Sequence, residues 1–178
     1  MTIPLAFDIK HPRRFSLSLR EAVFLLQDFV LNMESEITIS LASIHDAPAI
    51  ATLNRLFNEV DEAPEAIAAR MSDPNCVETV ILAKVVDKAV GFALVRVVPS
   101  VLYSTPHVEL TELYVMEEYR QRGIASRLIT FAEKIADQKG ARSILVQTGD
   151  DNLSALALYE KLGYEEYDVT LKKRLQAS

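Results

Sequence analysis

The stretch that most limits the fold runs HVELTELYV-MEEYRQRG-IASRLITFAEKIADQK-G, residues 107–140. It reads as an alternating strand, a turn holding one of only five glycines, and a long helix. Ile124, Leu128, Ile129, Ala132, Ile135 and Ala136 lie along one side of that helix, and Gly140 follows as its C′ residue. The apolar run SILVQT comes next and reads as a buried strand. A strand, a helix and another strand in this order call for a sheet with helices packed on it.

The flanking sequence extends the pattern. ITISLA is a β-branched alternating strand, and Asp46 ahead of Ala47-Pro48 opens a helix with Ile50, Leu53, Leu56 and Phe57 at helical spacing. The acidic turn NEVDEAP leads to a second helix, PEAIAARMS, closed by Asp73-Pro74. Val77–Val86 and Ala89–Val98 are expected strands of a hairpin turning at Asp87-Lys88, with Gly91 inside the second. PSVLYSTPH is a longer loop between two prolines. Asp151 or Asn152 caps the helix LSALALYEKL, which Gly163 stops. A polar edge strand, YEEYDVTLKKRL, closes the order β-α-α-β-β-β-α-β-α-β, an α/β sheet of mixed direction. Residues 1–35 read as an extension carrying a helix capped at Ser16 or Ser18, apolar around much of its circumference. Residues 36–178 read as the main domain. Such a helix needs a partner surface, on the domain or on a second copy in a homodimer.

The composition narrows the function. A net charge of −6 argues against a general nucleic-acid binder, which needs a basic face for phosphates. Cys76 is the only cysteine, and His11, His45 and His107 are scattered, so no metal-ligand spacing exists. No run reaches the ~18 apolar residues of a membrane span. The opening residues lack the pattern of a secretory signal, and the expected location is cytoplasmic.

Chemistry concentrates at the turn. The first N–H groups of a helix lack intrahelical partners and sit at the positive end of its dipole. Gly123 and the small Ala125 let a bulky ligand approach the backbone, and Arg120 and Arg122 add forked donors suited to phosphate oxygens. A diphosphate suits such a turn; a basic, solvated helix start is the plain alternative. Neither GxxxxGK[ST] nor a full GxGxxG is present. Downstream, Asn152 and Tyr159 lie within roughly 20° of each other around their helix, with Ala155 between them. Taken alone, that stripe is an N-cap and a core aromatic.

Together the two elements resemble the GNAT superfamily of acetyl-CoA-dependent N-acetyltransferases, over about residues 36–175. ELYVMEEYRQRGIASRLI is similar to its acyl-CoA motif, [RQ]-x-x-G-x-[GA], at Arg120, Gly123 and Ala125. NLSALALYEKLGY matches N-x-x-A-x-x-x-Y-x-K-x-G-[FY] at every named position. Alanine at 125, where glycine is frequent, is a tolerated variant. The resemblance implies a GNAT-like mixed sheet flanked by helices, and acetyl-CoA as co-substrate with an amine acceptor. It implies that amides from Arg122 to Ser126 hold the diphosphate, that Leu113 and Val115 pair with the pantetheine, and that Asn152 contacts the cofactor arm. The implied cofactor-binding set is Leu113, Tyr114, Val115, Arg120, Gln121, Arg122, Gly123, Ile124, Ala125, Ser126, Asn152, Ala155 and Tyr159. Tyr159 is also the implied general acid for the leaving thiolate. The segment from Leu94 to Ala125 is more loosely similar to the small aminoglycoside 3-N-acetyltransferases.

A neutral amine must attack the thioester, so a base is wanted, and Glu109 and Glu112 lie on the strand before the turn. Their odd separation sends them to opposite faces of a regular strand, so only one can face the cleft. Glu112, nearer the acetyl end, is the expected base; Glu109 could act through water if a bulge re-aims it. Either could instead decorate a sheet face or bind a cationic substrate. Glu59, Asp61, Glu62 and Glu65 form an acidic connection suited to a polyamine, aminoglycoside or basic peptide, or simply a solvated turn. Tyr103 packs on substrate or on a subunit interface. The expected enzyme acetylates a primary amine of a small molecule by direct attack in a ternary complex. Protein or peptide N-acetylation and a non-catalytic acyl-CoA-binding module are the competing readings.

Overall fold

A computed structural model describes residues 37–174 and, ahead of them, Leu19, Arg20 and Val23, which are helical. The capping serines and most of the expected N-terminal helix lie outside the described residues. Among the described residues, the unit that begins at Ile37 holds all the strands.

Its elements are β1 (Ile37–Leu41), α1 (Ala47–Asn58), α2 (Pro64–Ser72), β2 (Glu78–Val85), β3 (Lys88–Val98), β4 (His107–Val115), α3 (Ile124–Gln138), β5 (Leu145–Val146) and α4 (Leu153–Lys161). Short 3₁₀ turns at Ile44–Asp46 and Glu117–Tyr119 precede α1 and follow β4. The five strands form one sheet in sequence order, antiparallel from β1 to β4 and parallel between β4 and β5. This is the mixed α/β sheet expected.

Alternation along the strands supplies two apolar faces, and the helices divide between them. Ile124, Leu128, Ile129, Ala132 and Ala136 of α3 and Tyr159 of α4 pack on Ile81, Ala83, Ala93, Val95, Val108 and Leu110. On the other face, Ala47, Ile50 and Leu53 of α1 and Ile67 of α2 cover Leu82 and Phe92. Phe57 of α1 extends this second core, stacked on Tyr114 with ring centroids 5.1 Å apart.

Three expectations change. The hairpin turns at Val86-Asp87, with Lys88 already paired to Val85. Val86 there adopts φ 56°, a left-handed conformation that a β-branched residue resists. The strand SILVQT shrinks to Leu145–Val146, and Leu145 is 42% exposed instead of buried. The reason lies in β4. Leu94 pairs with Glu112 and Val95 with Leu110, so Thr111 is an extra residue, a β-bulge. A bulge bends its strand, and β4–β5 pairing stops at Leu110, immediately before it.

The final edge strand does not form among the described residues. Tyr167, Val169 and Leu171 of that segment are 81–91% exposed. With β5 only two residues long there is little ladder to extend, and one side-chain contact, Gln147 Nε2 to Thr170 Oγ1 at 3.3 Å, joins the two stretches.

Candidate active site

The turn after β4 is assembled from its own sequence. Gly123 is the N-cap of α3 at φ 73°, and Gln121 two residues earlier is also left-handed at φ 60°. No side chain caps this helix, and the first intrahelical donor is Arg127 N–H to the Gly123 carbonyl. The N–H groups of Ile124, Ala125 and Ser126 therefore have no acceptor among the described residues. A Cβ built on Gly123 would meet nothing within 4 Å, so the turn is open at this residue.

The arginines of the turn are held by the protein itself. Arg120 Nε donates to the Val115 carbonyl at 3.0 Å, tying the turn to the end of β4. The Arg122 guanidinium lies 5.2 Å from the Tyr119 ring, whose other neighbour is Lys88 Nζ at 5.1 Å. Both arginines of the turn are thus engaged within the chain.

Beside the turn, the bulge opens a groove. Past Leu110, β4 has no partner strand on its β5 side among the described residues, so the main chain of Leu113, Tyr114 and Val115 runs along a free edge. A thin, amide-bearing arm suits that edge as an added strand would, and a diphosphate suits the bare helix N-terminus at its end. An amide-bearing arm that runs into a diphosphate is the arrangement of the pantetheine half of coenzyme A.

Tyr159 is buried in the larger core, its ring 5.4 Å from that of Tyr164. Burial pushes its phenol pKa upward, so it stays protonated at neutral pH and able to donate. Burial, reinforced by the nearby Glu133 carboxylate, also raises Tyr164. Asn152 is the N-cap of α4: its Oδ1 accepts from Ala155 N–H at 3.2 Å and from Ser154 Oγ at 3.1 Å. Its exposed amide N–H₂ is left for other partners, while Ala155 packs half-buried against the core.

The two carboxylates depart from the expected geometry. The bulge at Thr111 resets the alternation, so Glu109 and Glu112 share one face, the side covered by α1 and α2. The expectation that only one could face the cleft assumed a regular strand, and β4 is not regular. Their surroundings differ all the same. Glu109 accepts from Arg96 Nη1 at 3.2 Å, while Arg96 Nη2 and Nε reach Glu78 Oε1 at 2.8 and 3.2 Å. Glu112 has no cation partner among the described residues. Burial pushes its pKa up, an Asn58 hydrogen bond opposes this, and the Glu78 charge adds to it. A carboxylate so placed is the better proton acceptor.

Arg96, Glu78 and Asn58 join the site without having been expected there. The available signal was a lone arginine in the apolar run VGFALVRVV, which needs a counter-charge if it points inward. Of the acidic connection, Asp61 lies 3.9 Å from Arg55 and Glu62 pairs with Arg70, so much of its charge is answered within the chain. Tyr103 and His107 line a pocket of about 110 Å³ with Arg142 and Leu145, at the end of β4 away from the turn.

The likeness to known proteins follows the same lines. Residues 42–164 match the profile of the Acetyltransferase (GNAT) family. The uncharacterized N-acetyltransferase YhfO of Bacillus subtilis (strain 168) is 31% identical over 136 residues, 72% of this chain and 89% of that protein. Among solved structures, the aminoglycoside acetyltransferase meta-AAC0020, from an uncultured soil metagenomic sample and in complex with trehalose, superposes with TM-score 0.70. It is 21% identical, with 81% of this chain and 99% of that one covered. AAC(6′)-Iy in complex with the bisubstrate analogue CoA-S-monomethyl-acetylneamine gives TM-score 0.69 at 23% identity, covering 79% and 99%. With its free-edged strand, bare amide turn and mixed sheet, this chain belongs to the GNAT family of acetyltransferases.

Proposed function

We propose that this enzyme moves the acetyl group of acetyl-CoA to a primary amine of a small molecule, such as an aminoglycoside or polyamine, by direct attack in a ternary complex. The observation that carries the reading is the bulge at Thr111. It opens the edge of β4 beside the Gly123 turn and turns Glu112 toward α1. One distortion so links a groove for the acyl donor with a carboxylate for the acceptor.

The residues divide the work. Amides from Arg122 to Ser126 hold the diphosphate, with Arg120 and Arg122 alongside; Leu113 and Val115 align the arm. Acetyl-CoA supplies a thioester, an acyl carbon open to a neutral amine. Glu112 accepts the proton that the ammonium must lose, directly or through water. Tyr159 donates a proton to the departing sulfur. Glu78, Glu109 and Glu112 against the single Arg96 leave the acceptor side net negative, which suits an acceptor carrying more than one ammonium.

Calorimetry with acetyl-CoA, followed by thiol release over a panel of polyamines, aminoglycosides and basic peptides, tests this. Turnover with small polycations supports the reading. Turnover with peptides alone moves the acceptor to proteins, and binding without turnover makes the chain an acyl-CoA-binding module.

A further inference from the structure

Arg96 takes no part in the proton transfers, yet it stands at the centre of the acceptor face. It is the only charged residue of β3 besides Lys88, which starts the strand. The register puts it opposite Glu78 of β2 on one side and Glu109 of β4 on the other. Its guanidinium spans both, and the three side chains are between 31% and 42% exposed, open to solvent on the cleft side.

We propose that Arg96 is a positioning residue of the acceptor site: by bracing Glu78 and Glu109 it reserves Glu112 as the carboxylate that meets the amine. The proposal rests on the reading of Glu112 as base. A carboxylate engaged by a guanidinium fork is a poor base, because protonating it forfeits a charge-assisted hydrogen bond. Glu109 is engaged in this way and Glu112 is not, although both lie on one face. The brace also sets the field at Glu112. Asn58 from α1, uncharged, and Glu78 from β2 act on it directly, and the register puts Arg96 of β3 and Glu109 of its own strand on the same sheet face. With the guanidinium in place, one positive charge offsets half of the two flanking negative ones. Without it, three carboxylates share one trough, and Glu112 is driven to hold its proton instead of taking one from substrate.

Two substitutions separate this from a merely structural role, because they should act in opposite directions. The readout is the titration of the Glu112 carboxyl by ¹³C NMR in the free full-length protein, which needs no knowledge of the acceptor. In Arg96→Met the midpoint should rise by roughly half a pH unit or more, and in Glu109→Gln it should fall. Arg96→Lys, which keeps the charge and loses the fork, should return it most of the way. With an acceptor from the amine panel, the acid limb of kcat/KM should move in the same directions. A midpoint that stays in place in either variant, or moves the same way in both, overturns the proposal. Absence of turnover with every amine overturns the functional reading instead, and leaves the titration as the test of Arg96.

Discussion

Glu112 and Tyr159 are both biased toward their neutral forms by burial, and the consequences have opposite uses. For Glu112 a raised pKa means that the folded state prefers the protonated acid. Its ionisation therefore works against folding as pH rises past the ordinary carboxylate range. Glu112→Gln should leave thermal stability at pH 7 unchanged or higher, while kcat/KM falls about 10²–10⁴-fold. The loss should be largest above the Glu112 midpoint and shrink as pH falls below it, where wild type also holds its proton. An unchanged pH–rate profile would remove Glu112 as the base. For Tyr159, a neutral phenol is what a proton donor requires. Tyr159→Phe should lower kcat by roughly 10²-fold and leave the acetyl-CoA Kd from calorimetry unaltered, since the ring still fills the core. Full activity in that variant would make the hydroxyl structural.

β4 holds the proposed base and the free edge proposed for the cofactor, and its neighbour β3 is shaped to receive it. A Cβ added to Gly91 would lie 2.6 Å from the Tyr114 carbonyl oxygen, backbone against side chain, with Val115 also within 3.3 Å. Gly91→Ala should thus push β3 and β4 apart, cost about 1–3 kcal/mol in urea denaturation, and weaken acetyl-CoA binding by disturbing the main chain of Tyr114 and Val115. Wild-type stability in that variant would mean the strands already have slack. Strand positions up to His107–Val115 are legible in the sequence because alternation and turn residues are local signals. The bulge is not, since nothing in HVELTELYV distinguishes nine regular residues from eight and an insertion. With it go the faces of Glu109 and Glu112 and the true length of β5. The hairpin turn reads one residue late because Val86 is a poor residue for a left-handed turn position.

At the scale of the fold, a partly buried ion pair adds to the packing that ties the start of α1 to the sheet. Asp46 ends the 3₁₀ turn that leads into α1; its Oδ2 accepts from Ser43 N–H and Oγ at 2.8 and 2.9 Å, and its Oδ1 from Lys84 Nζ of β2 at 2.7 Å. Lys84 and Ser43 hold its carboxyl down from the ordinary 3.8 to about 2. A depressed carboxylate stabilises the fold above its unfolded pKa, and that contribution is lost as pH falls through the folded value. Asp46→Asn should cost about 1–2 kcal/mol at pH 7, and the difference from wild type should vanish as pH approaches 2. Denaturation curves at pH 7, 4 and 2.5 measure this, and a pH-independent difference would assign the effect to packing.

The features legible in the residues alone are those that repeat or are short-range. Helical spacing marked α3, and Arg120, Gly123 and Ala125 followed by Asn152, Ala155 and Tyr159 at fixed offsets made the GNAT pattern. Each depends on residues within two turns of one another, where propensity and capping act. The remaining features depend on register across strands, which the assembled sheet sets. Pairing Leu94 with Glu112 and Val95 with Leu110 leaves Thr111 over, turns two glutamates to one face, and places Arg96 between Glu78 and Glu109. A one-residue offset reverses the face of every later side chain, and no local preference within β4 specifies it.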